Sequence, residues 1–230
     1  MKKIMLLVVL VCFMVIPVGV QAFTINDAVP DAIGVRTFES YGINVYNYTP
    51  GVYSGGIAID LFTNYPQSGL PVSGWNTEPA DLFITETYYG SNYLWAIPLV
   101  SHDTFTADTM YAVGTYHVSD DYEPDEGGYG YNHNVPVRIA SMGNNYNYER
   151  IGSFTVTWND LMSPGSPDWM IHITSNVYQD DPNGVWAFTW GTATCGNDVI
   201  SGRIPSVPEP ATMLLLGLGL VGIGLLRRKQ

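Results

Sequence analysis

Positive charge is what this chain has least of. Its 230 residues include nine Lys and Arg against 21 Asp and Glu, a formal net charge of −12 at pH 7. Five of the nine stand at the two ends: Lys2, Lys3, Arg227, Arg228 and Lys229. The body between them keeps only Arg36, Arg138, Arg150 and Arg203, with no lysine, while every acidic residue lies after Ala22. A body so short of cations is a poor match for a phosphate backbone or an anionic lipid surface, which argues against nucleic acid as a partner. It suits a soluble extracellular protein, or one that collects cations.

Cysteine is nearly absent too. Cys12 sits in an apolar N-terminal run and follows Val11, which does not fit lipoprotein attachment, so the body holds Cys195 alone. One cysteine forms no internal disulfide. Cys195 has no neighbouring His or basic residue in sequence to favour its thiolate, so it reads as a small buried hydrophobe rather than a nucleophile. The histidines, His102, His117, His133 and His172, show no zinc-ligand spacing. No Gly-x-Ser-x-Gly elbow is present. No catalytic residue is assigned, and no cofactor is expected unless it is calcium.

Helical periodicity is the third shortage. What replaces it is alternation with period two, rich in β-branched and aromatic residues, which marks half-buried strands. Ile57, Ile59 and Leu61 share a face, as do Phe154, Val156 and Trp158; Trp169, Ile171 and Ile173; and Trp186, Phe188 and Trp190. Similar runs cover Val35 to Tyr48, with Gly42 as a break, Leu82 to Tyr88, Tyr93 to Val100 after a Gly90-Ser91-Asn92 turn, Met110 to Val118, and Val135 to Ala140. Turn clusters separate them, among them Ser163-Pro164-Gly165-Ser166-Pro167 and Asp180-Asp181-Pro182-Asn183-Gly184. This punctuation predicts an all-β fold, an antiparallel β-sandwich of jelly-roll or lectin-like kind. One short helix is expected near Trp158 to Met162.

The two ends read as processing signals. Lys2-Lys3, the apolar stretch Ile4 to Val20, and a small-residue site at Val20-Gln21-Ala22 form a signal peptide over 1–22, cut by signal peptidase after Ala22. At the other end stand Pro208-Glu209-Pro210, an uncharged run from Ala211 to Leu226, and Arg227-Arg228-Lys229. As a helix that run spans roughly 24 Å at 1.5 Å per residue, slightly short of a ~30 Å hydrocarbon core. The basic tail can snorkel to offset the mismatch and favours a cytoplasmic C-terminus. Gly217, Gly219 and Gly222 fit a dinucleotide fingerprint in spacing only, since they follow no strand and sit in no βαβ unit.

This layout resembles the PEP-CTERM sorting signal of Gram-negative bacteria. The resemblance implies a transient inner-membrane anchor, processing by an exosortase-type enzyme, and delivery to the cell surface or an extracellular matrix of exopolysaccharide or biofilm. Trp190 to Gly202, with its Cys195-Gly196-Asn197-Asp198, resembles a stretch that recurs before such tails, which implies that it belongs to the fold. The chain therefore divides into a signal peptide (1–22), a β-sandwich (23–202), a linker (203–207) and a sorting signal (208–230) with a transmembrane helix (211–226). The expected function is that of a non-catalytic surface or matrix protein. The alternatives are an extracellular polysaccharide hydrolase and a calcium-dependent carbohydrate-binding module.

Two candidate binding sites stand out. Asp120, Asp121, Glu123 and Asp125 crowd hard oxygen ligands that could hold calcium. Their spacing departs from the helix-loop-helix calcium pattern, because the sixth position from Asp121 is Glu126 rather than glycine, so a solvated acidic loop is the plainer alternative. Asp180-Asp181 is a weaker candidate, better read as a turn, and Asp60, Asp81 and Asp198 are acids that a fold could bring together. Tyr129, Tyr131, Tyr146 and Tyr148, on Gly- and Asn-rich stretches, offer ring faces that suit a polysaccharide.

Overall fold

The computed structural model describes residues 22–28, 31–32, 36–46, 56–72, 75–122, 132–143, 154–162, 167–176, 181 and 184–204. The strands in chain order are β1 (Ala22–Asn26), β2 (Ser40–Tyr46), β3 (Ile57–Thr63), β4 (Leu70–Val72), β5 (Trp75–Thr77), β6 (Leu82–Tyr88), β7 (Ser91–Ile97), β8 (Tyr111–Val118), β9 (Pro136–Met142), β10 (Phe154–Asp160), β11 (Trp169–Ser175), β12 (Val185–Trp190) and β13 (Ile200–Ile204). Among the described residues there is no α-helix, only 3-10 turns at Arg36–Phe38 and Ser119–Asp121. The all-β expectation holds.

One antiparallel sheet has the order β1-β2-β3-β11-β10, a second has β13-β12-β6-β7-β8-β9, and β4 pairs with β5. The chain passes from one large sheet to the other after β3, after β9 and after β11. The alternating residues explain why both sheets share a core. Ile43, Val45, Ile59, Leu61, Ile171 and Ile173 of the first sheet fall in one apolar cluster with Leu82, Ile84, Ile97, Trp186, Phe188 and Trp190 of the second. Each such side chain contributes roughly 1.5–3 kcal/mol when fully buried. A smaller cluster joins Phe83, Ala96, Val113 and Ile139, from the opposite side of β6, β7, β8 and β9, to Phe105 of the segment between β7 and β8.

Local chemistry corrects four expectations. Gly42 does not break its strand: it lies inside β2 at a register shift, with φ +148°, where a Cβ would come within 2.7 Å of the Ile25 carbonyl oxygen. The hairpin turn between β6 and β7 is Tyr89-Gly90, not Gly90-Ser91-Asn92. Both turn residues have positive φ, 44° and 79°, the twist that a two-residue hairpin loop needs, and Ser91 and Asn92 pair with Tyr88 and Thr87. No helix forms at 158–162: β10 runs to Asp160, whose Oδ1 accepts the Met162 N–H at 2.8 Å in an Asx turn. The linker cannot start at residue 203, because β13 continues to Ile204, which is fully buried.

The terminal strands are edge strands of different sheets, yet they meet. Ile25 of β1 packs on Gly202 of β13 so closely that a Cβ at Gly202 would lie 2.6 Å from Ile25 Cγ2. Asp27, just past β1, lies beside Asp198, just before β13. The two strands therefore run in opposite directions along this seam. Ala22 and Ile204 mark one end of it, and Asp27 and Asp198 mark the other.

Candidate functional site

At that second end, three carboxylates converge. Asp27, Asp31 and Asp198 each offer an oxygen, and these oxygens lie within 4.8 Å of one another. Asp198 is 2% exposed. Its Oδ2 accepts the Ser40 N–H at 2.6 Å and the Ser40 hydroxyl at 2.7 Å, and its Oδ1 accepts the Val199 N–H at 2.8 Å. The Ser40 Oγ is also 3.0 Å from Asp27 Oδ2. Buried Glu39 adds a fourth acid, its Oε1 accepting the Asp31 N–H at 3.3 Å. The first turn of β2 thus lends donors to acids from both chain ends.

The electrostatics follow from burial and like charge. Burial, then the nearby Asp198 charge, pushes the Asp27 carboxyl up to about 7, against the pull of its Ser40 hydrogen bond. Burial also raises Asp198 and Glu39 above the ordinary carboxylate range. The group can relieve its own repulsion by keeping a proton. Hard oxygen donors in this number could equally hold a cation such as calcium, with Asp27, Asp31 and Asp198 as ligands.

The acids singled out from sequence behave differently. Asp120 Oδ1 accepts the Asn134 N–H at 2.9 Å, and its Oδ2 lies 3.4 Å from His133 Nδ1. The Asn134 bond comes first among the causes that hold Asp120 below the usual carboxylate range. Asp121 Oδ2 accepts the Val118 N–H at 3.0 Å and lies 3.3 Å from His117 Nδ1. The two carboxylates are spent on separate turn contacts, and the structure does not join them into a ligand set. Glu123 and Asp125 lie outside the described residues, as do Tyr129, Tyr131, Tyr146 and Tyr148. Asp60 is 2.5 Å from His172 Nδ1, its cross-strand neighbour. Asp181 closes a turn, its carbonyl accepting the Gly184 N–H, while its buried carboxylate reaches the Tyr89 N–H at 2.6 Å.

A second buried polar group surrounds Asp81, which is 0% exposed. His102 Nε2 lies 3.0 Å from Asp81 Oδ1, and His102 Nδ1 lies 3.2 Å from Asp103 Oδ2. The Ile139 N–H donates to Asp81 Oδ2 at 2.8 Å. Nearby, Arg138 pairs with Glu78. Burial disfavours the imidazolium, but the Asp81 hydrogen bond and charge outweigh it, with Asp103 adding to them, and the ring stays above its ordinary value. Both ring nitrogens face acceptors, which suits a doubly protonated ring. Glu86 is a third buried acid, held by the indole N–H groups of Trp95 and Trp186 at 3.1 Å each. Cys195 is 5% exposed, hydrogen-bonds Asn197, and packs with Phe38, Tyr65 and Ala193, so the thiol is buried as expected.

A family model, the PEP-CTERM protein-sorting motif, matches residues 206–229. The chain carries a PEP-CTERM sorting motif. That motif implies an exported protein sorted by an exosortase, and it suggests a transient membrane anchor. Comparison with curated proteins and with solved structures finds no match. The PEP-CTERM match contains Pro208, Glu209, Pro210, Arg227, Arg228 and Lys229, which lie outside the described residues, as does the expected helix 211–226. Among the described residues no helix is long and apolar enough to cross a membrane. Ala22, the expected signal cleavage residue, is the first residue of β1 and pairs with Tyr46.

Acids missed in the sequence reading were Asp27, Asp31 and Glu39. Nothing local distinguishes them. Asp198 was noted as one of several acids a fold could gather, and its partners come from the opposite end of the chain.

Proposed function

We propose that this is a non-catalytic surface or matrix protein whose body is a β-sandwich of jelly-roll or lectin-like type. Signal peptidase frees its N-terminus. The 211–226 run holds it for a time in the inner membrane, an exosortase-type enzyme processes it, and it stays at the cell surface or in an exopolysaccharide matrix. The observation that supports this reading best is the position of the sorting motif. It starts at residue 206, two positions after β13 ends at Ile204, so the motif follows in sequence a strand of the sheet that holds the core tryptophans. Five of the described acids also favour it: Asp120, Asp121, Asp160 and Asp181 serve turns, and Glu86 is enclosed by indoles.

Intact mass of the protein recovered from the cell surface tests this, together with sedimentation alongside the producer's own exopolysaccharide. The expected product starts at Phe23, lacks the residues after Pro208-Glu209-Pro210, and pellets with the polysaccharide. A full-length C-terminus at the surface, or a body that remains in the supernatant, overturns the reading. A calcium-dependent carbohydrate-binding module is the second reading, and the convergence of Asp27, Asp31 and Asp198 is the observation that favours it.

A further inference from the structure

Where the chain leaves the fold sets what it leaves beside. Ile204 pairs with Trp186, Trp186 with Glu86, and Glu86 with Tyr93, so the exit of the C-terminal segment is level with the outer end of β6 and β7. Beyond that level the β6–β7 hairpin continues to Tyr89, roughly 10 Å farther at about 3.3 Å per residue. Ala22 belongs to the same end, because β1 runs antiparallel to β13 along their seam. One pole of the molecule thus carries both terminal strand ends and a projecting hairpin.

The hairpin tip is unusual in composition and conformation. Tyr89 is 67% exposed and adopts φ 44°, a left-handed conformation that a bulky side chain rarely takes. The buried Asp181 carboxylate fixes its N–H at 2.6 Å. Its ring meets Tyr88 edge-on at 4.6 Å, and Tyr88 meets Tyr93 at 6.4 Å. The tip sequence Tyr88-Tyr89-Gly90-Ser91-Asn92 has no charge, in a body that is otherwise strongly acidic. A rigid, neutral tip with an apolar ring and a polar hydroxyl matches the headgroup zone of a bilayer, where tyrosine is enriched.

The reach of the tail agrees. Six residues, and so seven Cα-to-Cα steps, separate Ile204 from Ala211, where the apolar run begins. Fully extended they span at most roughly 25 Å. With the run inserted, the tether holds this pole close to the membrane, and the tip stands ahead of the exit point.

We infer that the Tyr88-Tyr89 tip rests in the membrane interface while the C-terminal run is inserted, and that it fixes which end of the domain faces the lipid. This rests on the anchor reading above. The contact is intramolecular in effect, because the tail supplies a high local concentration of lipid. Once the tail is removed, so small a tip does not keep the domain on the membrane.

The chain from Phe23 to Gln230, with Cys195→Ser, is reconstituted into phosphatidylcholine vesicles carrying either Ser91→Cys, an exposed tip position that leaves both tyrosines in place, or Met162→Cys. Each single cysteine bears an environment-sensitive fluorophore. Met162 is 86% exposed and follows β10 at the Asp198 end of the molecule, so it serves as the reference. Unchanged melting of both variants relative to their parent confirms that they fold. Flotation with the vesicles reports the anchor. Fluorescence reports the tip: on reconstitution the position-91 probe should lose about two- to threefold of its quenching by aqueous iodide and be quenched by shallow nitroxide lipid, while the position-162 probe changes in neither. Flotation with a position-91 probe as wet as position 162 overturns the inference and leaves the anchor intact. Failure to float overturns the anchor and the inference with it.

Discussion

Asp81 and Asp198 are equally hidden, 0% and 2% exposed, and their surroundings differ in sign. Asp81 faces an imidazole and a backbone N–H. Asp198 faces two more aspartates, relieved by the donors of Ser40. Burial penalises both charges, so the neighbours decide the outcome. One place pins the 99–110 segment to β6 and β9. The other is a strained meeting of like charges that a proton or a cation would relax. A structural acid and a candidate ligand site can therefore share one degree of burial.

The largest effect expected from breaking this contrast is at Asp81. Asp81→Ala leaves a buried imidazolium and the Ile139 N–H without their acceptor, and should cost about 3–5 kcal/mol. A urea midpoint shift that, multiplied by an unchanged m, gives less than a quarter of that loss would mean His102 finds water instead. Next comes calcium. If it binds the acidic group, millimolar calcium at pH 8 should raise Tm by roughly 3–6 °C in the parent and not in Asp198→Asn. No shift in the parent means that the group holds only protons.

The smallest effects are in pH dependence, and they occupy adjacent windows. Asp27 binds its proton more tightly in the fold, with a value raised from 3.8 to about 7. Stability from that proton is lost as pH rises from about 4 through 7. Asp27→Asn should flatten this decline and gain up to about 1 kcal/mol at pH 8, a modest figure because Asp27 is only partly buried. His102 is raised above 6.5, so its share is complete below that pH and lost as pH climbs through the folded value. His102→Gln should remove the loss above pH 6.5 while lowering Tm at pH 6. Melting curves of both variants from pH 4 to 9, with chelator present, separate the two windows. A coincident response would merge two places that the structure keeps apart.

Much of the core was legible because strand periodicity is local. Trp186, Phe188 and Trp190 announce their common face within five residues, and the structure buries all three. Strands β1 and β13 were not legible. Ala22–Asn26 borders an apolar leader in sequence, and Ile200–Ile204 is interrupted by Ser201 and Gly202, so it shows no alternation and its last two residues fell in the expected linker. The acidic group was hidden for the same reason. Asp27 and Asp198 become neighbours only through the seam between those two strands. Asp120 and Asp121, by contrast, attracted notice by density, and density is what turn capping also uses.

The pairing of β6 with β12 bears on export itself. Leu82 and Ile84 await Trp190 and Phe188, which are synthesised about a hundred residues later, and the β1 edge awaits β13 at the far end. Contacts this distant in sequence slow folding, since loop closure comes before any reward. A nascent chain so wired has little to stop it from threading through a translocation channel unfolded. It can close up only when its last strand has emerged on the far side.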